Sequence, residues 1–135
     1  MQILNREWKA RETVNLREVM GNIKLNYIEL PAADLEKTKQ FYADTFGWTF
    51  EDYGPDYCAF NDGDNDGGFY RSPLSSNSDA GAALVVLLTD NLEAAQDRVI
   101  ANGGTIHKPI FSFPGGRRFH FKDPNQNELA IWSKT

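Results

Sequence analysis

From Ile23 onward the apolar and polar positions follow two rhythms in turn. The segment IKLNYIELP alternates residue by residue, which is the period of a half-buried strand. LEKTKQFYADTF then sets Leu35, Phe41, Tyr42 and Phe46 at the spacing of one helical face. Asp34 stands where a helix wants an N-terminal cap, and Gly47 stands where a left-handed residue ends one. Three short strand patterns follow, WTFEDY, DYCAF and GGFYR, separated by Gly54-Pro55 and by the polar turn NDGDNDGG. The segment as a whole predicts a βαβββ unit.

After SPLSSNSDAG the same order returns. ALVVLL reads as a strand, Asp90 or Asn91 as a cap, LEAAQDRVIAN as a helix, and TIHKPI, RRFHF and ELAIW as strands. Asp34-Leu35-Glu36, with Gly47 thirteen residues after Asp34, is echoed by Asn91-Leu92-Glu93 with Gly104 thirteen after Asn91, an offset of 57. The expected fold is therefore α+β, with two βαβββ modules at 23–71 and 82–135 joined by a linker at 72–81 into one domain. Each module buries one sheet face under its helix and leaves the other concave, so pairing of the open faces predicts an enclosed cavity.

Residues 1–22 break this pattern. Arg6, Lys9, Arg11 and Arg17 are interspersed with Glu7, Glu12 and Glu18, and only Trp8, Val14 and Leu16 hint at helical spacing. This stretch reads as an N-terminal extension or arm, and residues 1–19 are expected to be dispensable for folding.

Composition narrows the function classes. A chain of 135 residues with 41% hydrophobic residues supplies one core and argues against disorder. Its net charge of −5 has the wrong sign for a surface that must neutralise nucleic-acid phosphates. The apolar run Ala82–Leu88 is far short of the roughly 20 residues a membrane helix requires, so no membrane span is expected. Cys58 has no partner for an internal disulfide, and the first twenty residues lack the apolar core of a secretion signal, which makes the cytoplasm the expected address.

YIELPAADLEKTKQFYADTFGW in the first module, LLTDNLEAAQDRVIANGG in the second and FHFKDPNQNELAIW at the end resemble the vicinal oxygen chelate superfamily of glyoxalases, bleomycin resistance proteins and extradiol dioxygenases. The resemblance runs from about Ile23 to Ser133. It implies curved sheets around a cavity and, in metal-bearing relatives, ligands at equivalent strand positions. Here those positions hold Tyr27, Leu84 and Ala130, and GGFYR carries no carboxylate, so no metal and no cofactor is expected. Resemblance to relatives, together with long sheet edges that pairing would cover, also predicts a homodimer.

Strand alternation turns Arg118, His120 and Lys122 to one face of the closing hairpin with Glu128, Ala130 and Trp132. His120 is the candidate acid or base, because an imidazole exchanges a proton near neutral pH. Glu29 on the first strand is the second candidate. Tyr27, Tyr57, Trp132 and Arg118 are the expected ligand contacts, the aromatic groups for a flat or apolar body and Arg118 for a carboxylate. Trp48 is expected in the core, Cys58 as a buried apolar residue, His107 at the surface and Glu128 as a cross-strand partner of Lys122.

The favoured reading is a metal-free protein that binds a small organic ligand, by sequestration or with weak acid and base chemistry. A glyoxalase-like lyase or a dioxygenase holding a metal through Glu29, His107 and His120 is the alternative within the same family. A third reading makes the chain a subunit or interaction module that docks through its arm.

Overall fold

The computed structural model describes residues 15–135. Most of the charged arm, including Arg6, Trp8 and Lys9, lies outside the described residues; its end is a short helix, α1 (Leu16–Met20), capped by the Asn15 side chain.

The first module comprises β1 (Ile28–Ala32), α2 (Leu35–Phe46), β2 (Thr49–Asp52), β3 (Tyr57–Asn61) and β4 (Asp66–Arg71). Its strand order is β1-β4-β3-β2, with β1 parallel to β4 and the other pairs antiparallel. The second module repeats this with β5 (Val85–Leu88), α3 (Leu92–Ala101), β6 (Thr105–Phe113), β7 (Gly116–Lys122) and β8 (Glu128–Ser133), in the order β5-β8-β7-β6. Among the described residues no helix is long and apolar enough to cross a membrane.

Both helix starts follow the sequence signals. Asp34 Oδ1 accepts from the Lys37 N–H, and Asn91 Oδ1 from the Ala94 N–H, each satisfying an amide that the first helical turn leaves without an internal partner. Gly47 closes α2 at φ 75°, a conformation glycine adopts without the steric cost other residues bear. The two helix ends are not equivalent, because α3 stops at Ala101 with Asn102 as its cap, two residues before the place the offset of 57 implies.

Two expectations are corrected. The first strand begins at Ile28, not Ile23, because its partner among the described residues, β4, begins at Asp66 and the parallel ladder pairs Ile28 with Gly67. The offset also drifts. Gly67 stands opposite Ile28 and Leu129 opposite Val85, so the last strands are 62 residues apart, the extra length being taken up around the longer β6–β7 hairpin.

A larger difference concerns which faces meet. Leu30, Cys58, Phe60 and Phe69 on the helix side of the first sheet join one cluster with Phe119, Phe121, Leu129 and Ile131 on the helix side of the second. Phe41 and Phe46 of α2 lie 6.2 Å and 5.9 Å from Phe121, ring centre to ring centre, and Phe46 meets it edge-on. The helix-covered faces thus build the core between the modules, and the open faces of the two sheets do not enclose a cavity within one chain.

The turn between β7 and β8 locks this arrangement. Asp123 is buried and accepts hydrogen bonds from Tyr42 Oη (2.8 Å) and from the backbone N–H groups of Asn125 and Asn127. Asn125 Nδ2 donates to Thr38 Oγ1, and its Oδ1 accepts from the Asp34 N–H at the start of α2. Asn127 Nδ2 donates to the Pro31 carbonyl (2.7 Å) while its Oδ1 accepts from the Ser76 N–H. One tight turn therefore holds α2, β1 and the linker together.

Replacing Asn127 with Ala leaves the buried Pro31 carbonyl and the Ser76 amide without these partners. The expected loss is at least about 2 kcal/mol of stability, since each unmet buried group costs roughly 1–3 kcal/mol. Urea unfolding checks it: the midpoint falls while the slope stays constant.

Candidate functional site

On the open face of the first sheet three side chains form a chain of hydrogen bonds. Tyr57 Oη donates to Glu29 Oε2 at 2.8 Å, so its oxygen accepts from Tyr27 Oη at 2.6 Å. Burial, then the contacts with Tyr27 and Glu29, push the Tyr57 phenol well above its usual value, which keeps it a donor. Beneath the two rings lies Gly68. A Cβ there would stand 2.0 Å from Tyr57 Oη and 2.8 Å from Tyr27 Oη, so the hydroxyl pair occupies the space a side chain on this strand would need.

The corresponding place on the second sheet is Ala130, opposite Val86 as Gly68 is opposite Glu29. Here His120 and Ala130 are cross-strand partners, as alternation predicts, and both are buried. Phe111, across the β6–β7 ladder, sets its ring 5.9 Å from the imidazole.

His120 Nδ1 lies 2.7 Å from Glu128 Oε2, and Glu128 Oε1 accepts from both the N–H (3.0 Å) and the hydroxyl (2.7 Å) of Ser78 in the linker. Burial alone would raise the Glu128 carboxyl, but the bonds from His120 and Ser78 outweigh it and pull it from the usual 4.5 to about 2. A carboxylate at Nδ1 fixes that nitrogen as the donor and leaves Nε2 as the ring atom able to meet another group. That Nε2 atom is buried and has no hydrogen-bond partner among the described residues.

Arg118 is two residues back on the same face. Its guanidinium lies 5.2 Å from the Phe111 ring centre and 5.6 Å from that of Phe113, and its buried Nε also lacks a partner among the described residues. Trp132 is its cross-strand partner and is half-buried.

The sequence-derived candidates therefore separate into two groups. Tyr27, Tyr57 and Glu29 form one, on the first sheet; Arg118, His120 and Trp132 form the other, on the second. A site enclosed between Tyr27 and the His120–Trp132 pair is not formed inside one chain, because the helix sides of both sheets are committed to the shared core. Sequence reading missed the role of Glu128: it does pair with Lys122 in the ladder, yet its carboxylate serves His120 and Ser78. Alternation already puts residues 120 and 128 on one face, but it carries no signal for Ser78, which reaches the carboxylate from the linker fifty residues away. Trp48 and Cys58 are buried in the core, and burial raises the Cys58 thiol, which disfavours a thiolate nucleophile.

The donor set does not fit a metal centre. Ala130 and Leu84 offer only carbon, Gly68 offers nothing, and the Tyr27 hydroxyl is bonded to Tyr57. Among the described residues no three His, Cys, Asp or Glu side chains converge, and Glu29, His107 and His120 are not brought together.

Comparison with known proteins gives the same architecture. The model of the Glyoxalase/Bleomycin resistance protein/Dioxygenase superfamily matches residues 24–131. CFP32 of Mycobacterium bovis, whose name provisionally reads glyoxylase, is 26% identical over 124 residues; the match covers 79% of this chain but only 44% of that protein. Among solved structures, the hypothetical protein SA1046 of S. aureus superposes with a TM-score of 0.69 at 18% identity, covering 87% of this chain and 98% of that one. The fosfomycin resistance protein FosX of Listeria monocytogenes gives 0.69 at 18% identity, covering 84% and 95%. At such identities the likeness extends to the fold alone.

Acid unfolding should report the His120–Glu128 pair. A carboxyl depressed in the folded chain adds stability that is complete above its unfolded value of 4.5 and is lost as pH falls towards about 2. Glu128→Gln should flatten that part of the curve of stability against pH, measured by urea unfolding from pH 6 down to about 2.

Proposed function

This chain belongs to the Glyoxalase/Bleomycin resistance protein/Dioxygenase superfamily, and we propose that within it the protein binds a small organic ligand on the open face of the second sheet without a bound metal. The observation that carries this reading is the buried His120–Glu128 pair, with His120 Nε2 unpartnered among the described residues and Arg118 beside it. An imidazole oriented by a carboxylate at one nitrogen, with the other nitrogen free, is the arrangement a general base uses. Burial supplies the low-dielectric surroundings in which such a group acts strongly, and Arg118 adds a fixed positive charge for an anionic ligand group. Trp132 and Phe113 offer apolar surface, their rings 6.0 Å apart.

The Glu128 carboxylate is a positioning group: it touches His120 and not the ligand. Whether the bound molecule is turned over or only held follows from what approaches Nε2. A substrate with an acidic C–H, or a water to be deprotonated, would be activated there; a ligand with a hydrogen-bond donor at that point would simply be retained.

A second copy of the chain completes the site in this reading. The first sheet's open face carries Glu29, Glu51 and Asp66 with Tyr27 and Tyr57, and the second sheet's carries Arg118 and Lys122 with Trp132, its one named carboxylate, Glu128, being buried against His120. These faces are complementary in charge, and within one chain they are kept apart, so reciprocal pairing of two chains would bring both sets of sequence-derived candidates together. Light scattering at micromolar concentration is then expected to give twice the 15.2 kDa chain mass, and the chain mass alone would refute the pairing.

His120→Asn tests the base. An Asn amide nitrogen takes the place of Nδ1 and keeps the bond to Glu128 while Nε2 is deleted, whereas Ala would strand a buried carboxylate and cost stability as well. Native mass spectrometry of the purified chain is expected to show a small organic ligand and no stoichiometric metal. Its retention should fall by roughly 1–3 kcal/mol in the Asn variant, with an unchanged melting temperature. An unchanged ligand, or a metal ion carried by each chain, would remove the proposal.

A further inference from the structure

The core shared by the two modules stays open between edge strands β1 and β5. There Leu30, Trp48 and Phe60 of the first module face Val85, Leu87 and Leu129 of the second across a cavity of about 220 Å³. A neighbouring cavity of about 540 Å³ shares Trp48, Asp62, Asn65 and Leu87 with it. Their apolar floor is on the helix side of the sheets and they contain none of Arg118, His120 or Trp132, while Tyr27 and Asp66 at the rim of the first and Leu88 at that of the second come from the open-face side.

This opening leaves apolar surface to water that the packing could have covered. Ile28, on the same face as buried Leu30, is 44% exposed, and Val85 and Leu87 are half-buried. The Trp48 ring is held flat between Tyr42 and Phe60, at 4.8 Å and 4.6 Å between ring centres, so it has little freedom to swing in and fill the gap.

Charge at the rim decides what would fit. The β3–β4 turn places Asp62 and Asp64 at the mouth, and neither has a cationic partner within 4.0 Å among the described residues. Asp62 Oδ1 is occupied by the N–H groups of Asp64 and Asn65, while Oδ2 receives only a 3.4 Å contact from Asn65 Nδ2. Those bonds outweigh the effect of burial and hold the carboxyl below its usual range, so it stays charged. An apolar floor under an uncompensated anionic rim selects a cation with an apolar body.

We propose that the cleft between the modules is a second binding site, distinct from the open-face site, for a small primary amine with an apolar or aromatic body. The body lies against Trp48 and Phe60, and the ammonium meets the Asp62 carboxylate at the mouth. The inference does not depend on the proposed function, since its floor of Trp48, Phe60 and Leu87 and its Asp62 carboxylate take no part in the His120 site, although Tyr27 and Asp66 border both.

The test is a titration of the ¹⁵N-labelled full chain with 2-phenylethylamine, with 2-phenylethanol and 3-phenylpropionate as neutral and anionic matches, read at the Trp48 indole N–H. The amine should shift that resonance saturably with a dissociation constant below about 1 mM, and the alcohol and acid should bind at least about tenfold more weakly. Asp62→Asn retains an oxygen for the turn amides and removes the charge; it should weaken the amine about tenfold and leave the alcohol unchanged. Leu87→Phe should block all three, and Val85→Phe repeats the block from the adjacent position on the face if the first variant fails to fold. His120→Asn should leave amine binding intact, which separates this site from the open-face one. Equal binding of alcohol and amine, an Asp62→Asn variant that binds the amine as before, or shifts centred on Trp132 instead of Trp48 would each overturn the proposal.

Discussion

The buried carboxylate of Asp123 is the constraint on which the arrangement depends. Burial alone would drive it towards its neutral form, and the hydrogen bonds from Tyr42, Asn125 and Asn127 oppose that shift. The donors tie two parts of the fold to this turn: Tyr42 and Asn125 lead to α2, and Asn127 to β1 and the linker. Satisfying one buried acid therefore sets the relative position of the two modules. Because Tyr42 reaches it from inside the core, the helix sides of both sheets are drawn together and the open faces are left to the outside.

The candidate chemistry follows from that choice of faces. The linker, anchored by the Ser76 carbonyl to the Glu128 N–H, brings Ser78 onto the Glu128 carboxylate. Glu128 in turn orients His120. The chain of causes thus runs from the Asp123 turn through the linker to a single imidazole nitrogen. Gly68 and Ala130 complete the picture by being small: one makes room for two tyrosine hydroxyls, the other leaves the surface beside His120 without a side chain that could ligate.

Membership of the superfamily places limits on what the fold can say. The superfamily's own name joins glyoxalase, bleomycin resistance and dioxygenase, so the architecture hosts several activities and the site residues carry the distinction. Here the donors at the matching strand positions are carbon, a bonded phenol or absent. The open face of the second sheet instead holds a buried histidine nitrogen that has no hydrogen-bond partner among the described residues, and an arginine held against two rings.

Local rules were legible in the chain. Alternation and helical spacing, with Asp34, Asn91 and Gly47 as punctuation, located both βαβββ modules, because those signals act between residues close in sequence. Period-two alternation also placed Arg118, His120, Glu128, Ala130 and Trp132 on one face. What alternation does not carry is which sheet face meets which. That was decided by long-range contacts such as Tyr42 to Asp123 and Phe41 to Phe121, whose partners lie some 80 residues apart. The same holds for Glu128, which the sequence paired with Lys122 by register. Only the folded linker, fifty residues away, delivered Ser78 and turned that carboxylate towards the histidine. Sequence by itself determined the elements and the side each residue faces; the tertiary structure decided which sides are buried together, since that choice rests on satisfying buried polar groups across the whole chain.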